Sequence, residues 1–340
     1  MSSFRRYLLV LCLLAIATSV YIPLKWGLPY PKAPGPKLGA SLVAQYKNEL
    51  NKSGADLALI GDSVLFHGVI PDQMAALTGR KIYKFGVPGT ASAAWYLMLK
   101  NVIAAAAHKP RYLVVTFRDT ILTVPDYRVN GKYLNLVSRF ATSKEPLFIQ
   151  RSFIQQMSPV EQLADQYLPI YGSRLLARDK LNYFIRYSLP AVFGCNAKCT
   201  DKANIIVFRD NNLGQNSLTN AAASAEAYLY TPDRLDFSRQ LDQSFLPEMV
   251  RIARENKIQL ILVRTKHLNA ASEKSESAAL KNYIQALKTY AAQNNVIVLD
   301  FAYDKRLTRK LYYDNYHTTM AGAVVFTKIL SEALLPIINK

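Results

Sequence analysis

From residue 56 onward the chain alternates two kinds of apolar stretch. Leu57–Ile60, Lys81–Phe85, Tyr112–Phe117, Ile258–Val263 and Val296–Leu299 are short and rich in β-branched, aromatic and leucine side chains. Runs of that length predict strands. Ala91–Ala107, Phe237–Asn256, Ser277–Gln293 and Met320–Ile338 read as helices between and after them. This alternation predicts an α/β domain whose parallel sheet is covered on both faces. Open sheets of that kind bind ligands outside the carboxyl ends of their strands. The residues that directly follow each run are therefore where chemistry is expected.

One region breaks the rhythm. The residues from Ile121 to Leu235 are rich in Tyr, Phe, Arg and Pro and show no strand–helix order. A structureless loop of that length is improbable in a compact domain, so an inserted subdomain is expected at about 121–235. Within residues 128–190, nine Lys and Arg stand against four Asp and Glu, with Tyr133, Tyr167, Tyr171, Tyr183 and Tyr187 between them. Interleaved basic and aromatic side chains suit a sugar polymer or a single-stranded nucleic acid.

The N-terminus has a different pattern. Arg5 and Arg6 precede Tyr7–Leu24, which carries no charge. Eighteen helical residues rise about 27 Å, just short of a hydrocarbon core of about 30 Å. Residues 1–24 therefore read as a signal-anchor, with Ala15-Ile16-Ala17 leaving a cleaved signal peptide open as the other reading. The apolar stretch continues past that point through Val20, Tyr21, Ile22 and Leu24, which favours the anchor. Arg5 and Arg6 would stay inside, so both readings export the rest of the chain. Residues 25–54, with Pro29, Pro31, Pro34, Pro36, Lys25, Lys32 and Lys37, read as an extended stalk whose lysines rest on anionic headgroups or in solvent. The remaining 55–340 would form the exported domain, outside the inner membrane in a periplasmic or extracellular space.

Charge and cysteine content narrow the partners. The chain of 340 residues has 42 Lys and Arg against 24 Asp and Glu, a formal charge of +18. That favours anionic partners: a membrane surface, an acidic glycan or nucleic acid. Export argues against nucleic acid, and no nucleic-acid-binding signature is present. Three cysteines are too few for a disulfide scaffold or a four-cysteine zinc site, and no metal is expected. In an oxidising compartment Cys195 and Cys199 are expected to form a local disulfide. Cys12 lies in the apolar segment and reads as packing.

Four groups of residues follow the strand-like runs. Gly61-Asp62-Ser63 follows the first, and Gly86-Val87-Pro88-Gly89-Thr90 the second. Arg118-Asp119 ends Thr116-Phe117-Arg118-Asp119 after the third, and Asp314-Asn315-Tyr316-His317 precedes the last helix. A serine hydroxyl becomes a useful nucleophile only when an oriented base takes its proton. Ser63 is the candidate nucleophile, His317 the base and Asp314 the group that orients it. The backbone N–H groups of Ser63 and Gly89 could stabilise a tetrahedral oxyanion.

These motifs, in this order, resemble blocks I, II and V of the SGNH/GDSL hydrolases. The resemblance covers roughly 55–119 and 236–338. It implies a three-layer, flavodoxin-like parallel sheet, a Ser63–His317–Asp314 triad and no cofactor. Block III of that family usually reads Gly-x-Asn-Asp, with the asparagine donating to the oxyanion. Here Arg118 stands in the asparagine's place, either as a substitute donor, as a site for an anionic substrate group, or paired with Asp119. Lys84 occupies the place of a second common asparagine and reads as a surface lysine. His67 reads as an exposed or capped histidine, and His108 and His267 have no motif around them. Arg264 and Lys266, after the fourth strand, line the site rim or lie in a solvated loop.

The expected activity is that of an exported, membrane-anchored esterase or O-acyltransferase acting on acyl groups, acetyl foremost, of a cell-envelope polysaccharide. The anchored arrangement resembles SGNH-like proteins of polysaccharide O-acetylation, which work beside a multi-span membrane acyltransferase. A lipase or lysophospholipase, and a degenerate fold that binds glycan without turnover, are the alternatives.

Overall fold

The five apolar runs pair as strands of one parallel sheet. The computed structural model describes residues 2–27, 30–39, 41–208, 226–268, 274 and 276–339, so 209–225 of the expected insertion lie outside the described residues. The strands are β1 (Leu57–Gly61), β2 (Ile82–Gly86), β3 (Tyr112–Phe117), β4 (Gln259–Arg264) and β5 (Ile297–Asp300), in the order β2-β1-β3-β4-β5. Each lies within one residue of its expected position. Leu57 pairs with Ile82 on one side and Tyr112 on the other, Tyr112 pairs with Gln259, and Ile261 with Ile297. This is the doubly wound order, whose strand order reverses between β1 and β3 and opens a crevice there at the carboxyl edge.

Burial explains why these runs are almost wholly apolar. Every residue of β1 and β3 is buried, as is all of β4 except Gln259, whereas the edge strands β2 and β5 are mostly half-buried. Alternate side chains serve the two faces. Leu57, Leu59, Val114, Ile261 and Val263 join Leu65, Met74, Phe326 and Leu330 in one cluster under the helices Ser63–Gly68, Pro71–Thr78 and Met320–Ile338. The intervening Ala58, Ile60, Leu113, Val115, Leu260 and Leu262 are buried as well. They face the other helical layer, where Leu246–Glu255 packs on β4.

Two helices depart from expectation. The stretch expected at 91–107 is helical over Ser92–Leu97 and continues as a wider π turn, Met98–Ile103. The one expected at 237–256 is two helices, Phe237–Leu241 and Leu246–Glu255. Asp236 caps the first, and Ser244 holds the turn between them by donating to Leu241 O and accepting from Leu246 N. Pro247, lacking an N–H, suits the first turn of the second helix. Within the segment expected to be extended, Val43–Ser53 is helical; it contains no proline and buries Leu50.

The chain forms two compact units. The sheet belongs to Leu38–Ser152 with Ala227–Lys340, so that unit takes in 121–152 and 227–235 of the segment with no strand–helix rhythm. The other unit is Met1–Lys37 with Phe153–Glu226. Its helix Ser2–Trp26 has a stretch, Phe4–Trp26, long and apolar enough to cross a membrane, and none of that stretch is buried. It is a candidate membrane anchor or signal sequence. Met320–Ile338 has similar length and composition but is half buried, as the core helix of the sheet unit.

In the unit of Met1–Lys37 with Phe153–Glu226, Lys32 does not rest free in a stalk. Its ammonium meets the buried Asp165 carboxylate at 2.5 Å, and Gly35 N donates to the same oxygen at 2.9 Å. Beyond Asp165 the helices Arg174–Tyr183, Leu189–Val192 and Ala197–Phe208 expose Tyr183, Val192, Ile206 and Val207, and Phe193 is exposed just past the second of them. Cys195 and Cys199 are joined by a disulfide there, and Cys12 is exposed on the N-terminal helix.

Candidate active site

Ser63 is the first residue of the short helix that leaves β1. Asp62 caps that helix by accepting from Val64 N at 2.9 Å, which fixes the strand-to-helix turn and holds Ser63 at the sheet edge. Gly61 is required immediately before it. A Cβ there would lie 2.1 Å from Thr116 Oγ1 and 2.7 Å from Leu65 Cβ. Only glycine lets β1 pass so close to β3 and its own following helix.

His317 arrives from a loop that Asp314 holds in shape. One Asp314 oxygen accepts from the backbone N–H of Tyr316 and of His317, each at 2.7 Å, and the other lies 2.6 Å from His317 Nδ1. A carboxylate only accepts, so Nδ1 carries the proton and Nε2 is left to accept. Nε2 lies 2.8 Å from Ser63 Oγ. The structure thus brings together Ser63, His317 and Asp314, although Ser63 and His317 are 254 positions apart. Burial pushes the Asp314 carboxyl up, but its hydrogen bonds to the His317 ring and the two backbone N–H groups outweigh this and hold it below its usual range. The loop is anchored at both ends: Thr318 Oγ1 donates to His67 O at 3.0 Å, and Leu268 N donates to Asn315 O at 2.8 Å.

The turn after β2 is braced against the end of β1. Val87 N donates to Gly61 O at 3.0 Å, and Thr90 Oγ1 bonds Val87 O at 2.7 Å and accepts from the buried Trp95 ring N–H at 3.1 Å. Gly89 has φ +83°, a left-handed conformation that glycine adopts without strain. Thr90 and Trp95, to which the sequence gives no role, together brace the turn that carries Gly89.

Arg118 follows β3 and is buried. Its guanidinium carbon lies 4.3 Å from the Tyr316 ring centre, one residue from His317, and its Nη2 faces Asp62 Oδ2 at 3.9 Å. The cation is therefore held between the Ser63 turn and the His317 loop. Asp119 has φ +42° and accepts two bonds from Arg264, at 2.9 and 2.7 Å. It also accepts from Tyr230 OH at 2.6 Å and lies 3.0 Å from His267 Nε2.

This corrects the reading of Arg264 as a rim residue. Arg264 is buried, and besides Asp119 it meets Glu276 and, at 3.6 Å, Asp300. A buried guanidinium needs such carboxylates, so it belongs to the packing beneath the loops. Burial pushes the Asp119 carboxyl up, but His267, Arg264 and Tyr230 hold it far below the usual carboxylate range. His267, for which the sequence offers no role, is thus part of a buried ion cluster. Lys266 donates to Asp304 O at 3.0 Å.

Two further residues differ from expectation. Lys84 is half-buried rather than a plain surface lysine, and it donates to Phe66 O and Val69 O at the end of the Ser63 helix. Burial pushes its ammonium down. His67 is exposed, but its ring lies 5.4 Å from that of His317, and Tyr313 stacks on His317 at 5.5 Å. Burial and then the neighbouring His317 hold the His67 imidazole below its ordinary value. Phe66, His67 and Tyr313 form an exposed aromatic rim beside Ser63. His108 is exposed and far from these groups in the fold, its N–H donating to Asn51.

No group of three or more His, Cys, Asp or Glu suited to a metal ion occurs among the described residues. A cavity of about 700 Å³ opens at the opposite edge of the sheet, where the strands begin, and is lined by Tyr112, Gln259 and Ile297 among others.

No family model matches the chain, and no curated protein matches it in sequence. Among solved structures, it is similar to a protein from Desulfitobacterium hafniense described as lipolytic and of the G-D-S-L family. Identity is 11%, the match covers 82% of this chain and 98% of that one, and the TM-score is 0.38. It is similar to a mutant of an acetyl-xylooligosaccharide esterase from Geobacillus Stearmophilus at 13% identity, over 85% and 95% of the two chains, with a TM-score of 0.38. A third similar structure, described as an arylesterase from Agrobacterium tumefaciens, is 10% identical over 83% and 98%, with a TM-score of 0.32.

Proposed function

We propose that this chain is an SGNH-like serine esterase or O-acyltransferase, exported and held at the inner membrane, that moves acyl groups, acetyl foremost, on a cell-envelope polysaccharide. The observation that carries this reading is the continuous chain from Ser63 Oγ through the His317 ring to Asp314 at the carboxyl edge of the parallel sheet. A binding protein has no use for a serine hydroxyl aimed at an oriented imidazole.

The chemistry follows from the geometry. His317 Nε2 takes the Ser63 proton as Oγ attacks the ester carbonyl, and Asp314 stabilises the imidazolium. The oxyanion faces the N–H groups of Ser63 and Gly89, with Arg118 as third donor. Collapse expels the alcohol, which takes the proton from Nε2, and leaves acyl-Ser63. Water, or a sugar hydroxyl, then gives its proton to Nε2 as it attacks the acyl carbonyl, and Ser63 Oγ leaves and takes that proton back. The acceptor alone separates hydrolysis from transfer.

The exposed apolar helix Phe4–Trp26 supports attachment to the membrane, and the aromatic rim of Phe66 and Tyr313 suits the face of a sugar ring. A multi-span acyltransferase would supply the acyl group in the transfer reading. The test is labelling of the full chain in detergent with a fluorophosphonate, alongside turnover of p-nitrophenyl acetate. Label on Ser63, and its loss together with at least a thousandfold of turnover in Ser63→Ala, is the expected result. Unchanged turnover in Ser63→Ala would remove the covalent mechanism.

A further inference from the structure

Arg128 lies beside Asp62, the residue before the candidate nucleophile, with a donor that no described residue hydrogen-bonds. It follows the 3₁₀ turn Asp119–Thr123 and has φ +56°, a conformation that side chains other than glycine, asparagine and aspartate seldom take. Backbone strain of this kind persists where the surroundings impose it, and it collects at sites of function. Here the surroundings are aromatic. The guanidinium carbon is 5.1 Å from the Tyr127 ring centre and 5.8 Å from that of Tyr133. Tyr133 is also the nearest side chain to the Gly89 turn, 3.2 Å from where a Cβ would stand.

The guanidinium is thus fixed in orientation between the oxyanion turn and Asp62. Its Nη1 is buried and makes no hydrogen bond among the described residues. The nearest carboxylate oxygen, Asp62 Oδ2, is 3.8 Å away, outside hydrogen-bond range, and that carboxylate already spends Oδ1 on the cap of the Ser63 helix. A buried, oriented, unspent donor of a planar cation matches a carboxylate or phosphate, which it can grip through two parallel bonds.

We propose that Arg128 is a specificity-determining residue that binds an anionic group of the substrate, a carboxylate or a phosphate close to the scissile ester. This rests on the reading of Ser63 as an acyl-transfer nucleophile and narrows its substrate to an acidic glycan. The ester under attack sits at Ser63, and the anion beside it replaces the acceptor that Asp62 fails to supply.

The test uses the full chain in detergent and paired substrates. O-acetylated oligogalacturonate is compared with its methyl-esterified form, which is the same polymer without charge. O-acetylated glucose 6-phosphate is compared with O-acetylated glucose. The native chain is expected to prefer the charged member of one pair by tenfold or more in kcat/KM, and which pair shows it distinguishes a uronate from a phosphate. In Arg128→Gln that preference should fall to near one, through a higher KM for the charged ester. Arg128→Lys, which keeps charge but not the fork, should retain part of it.

A second measurement separates this proposal from the hydrolase reading. Calorimetric binding of unacetylated oligogalacturonate and of inorganic phosphate is measured in the Ser63→Ala background, with and without Arg128→Gln. If no ester is cleaved but binding depends on Arg128, the anion site stands and the hydrolase reading falls. If esters are cleaved without charge preference, or Arg128→Gln leaves the preference intact, the anion site falls and the hydrolase reading stands.

Discussion

The two compact units handle apolar residues in opposite ways. In the sheet unit the apolar runs are sealed: β1 and β3 are buried at every position, and Met320–Ile338 packs its inner face on Leu57, Val114 and Ile261. In the other unit Phe193 is 80% exposed and Ile206 77%, and no described residue of the long N-terminal apolar stretch is buried. Similar side chains therefore build a core in one unit and a surface in the other. Charge divides the same way. The cations of the sheet unit that matter, Arg118, Arg128 and Arg264, are mostly buried and each has a defined setting.

If the sheet unit's buried charges are structural where they are paired, removing Arg264 should damage folding most. Arg264→Met leaves Asp119, Glu276 and Asp300 without their shared guanidinium. Breaking a buried pair in this way costs about 3–5 kcal/mol, measured by urea unfolding followed through the fluorescence of buried Trp95. The pH dependence gives an independent check. The folded-state value of Asp119 is depressed, so its stabilisation is complete above the unfolded carboxylate range, near pH 3.9, and is lost as pH falls through the folded value. The native chain should therefore lose stability on acidification more steeply than Asp119→Asn. Equal slopes would mean that Asp119 is not ionised in the folded protein.

Arg118 is next in size and tests whether a buried cation of this unit acts on chemistry instead. It faces Asp62 and Tyr316, the neighbours of the proposed nucleophile Ser63 and the proposed base His317. As an oxyanion donor its loss in Arg118→Ala should lower kcat by on the order of a hundredfold. An effect confined to KM would make it a second anion-binding residue like Arg128.

The sequence carried much of the sheet and the candidate site because both depend on short local signals. Central strands must be apolar on both faces, so they stand out as runs, and the residues that follow them are at the ligand edge by topology. Ser63 was legible for that reason, and His317 through its spacing from Asp314 ahead of the last helix. Arg264 and Lys266 were placed at the same edge by the same rule, but the rule fixes only where a residue starts, not where a long side chain ends. Arg264 turns inward because Asp119, Glu276 and Asp300 converge on it from three separate segments. His267 and Thr90 are likewise defined by partners distant in sequence. Arg128 was only one of many basic residues until its left-handed backbone and its position beside Asp62 were known. The helix Val43–Ser53 was hidden by the prolines before it, whose influence reaches only their immediate neighbours.

The smallest expected effect is the sharpest test of the comparison itself. Phe326 and Phe193 are the same side chain, 3% and 80% exposed. Phe326 packs in the cluster under the sheet, so Phe326→Ala should cost about 3–5 kcal/mol through lost burial and the cavity left behind. Phe193 gives up almost no buried surface on truncation, so Phe193→Ala should change unfolding stability by no more than about 0.5 kcal/mol. The same variant has a second expected readout. The exposed apolar side chains of its unit occur with Arg178, Lys180 and Lys202 on neighbouring helical turns, a combination that suits the boundary of an anionic bilayer. Phe193→Ala, and more strongly Phe193→Asp with Ile206→Asp, should weaken binding of a chain lacking residues 1–27 to vesicles of phosphatidylglycerol and phosphatidylcholine. A stability loss at Phe193 as large as that at Phe326 would mean that this face is packed in the folded protein, and the contrast between the two units would then disappear.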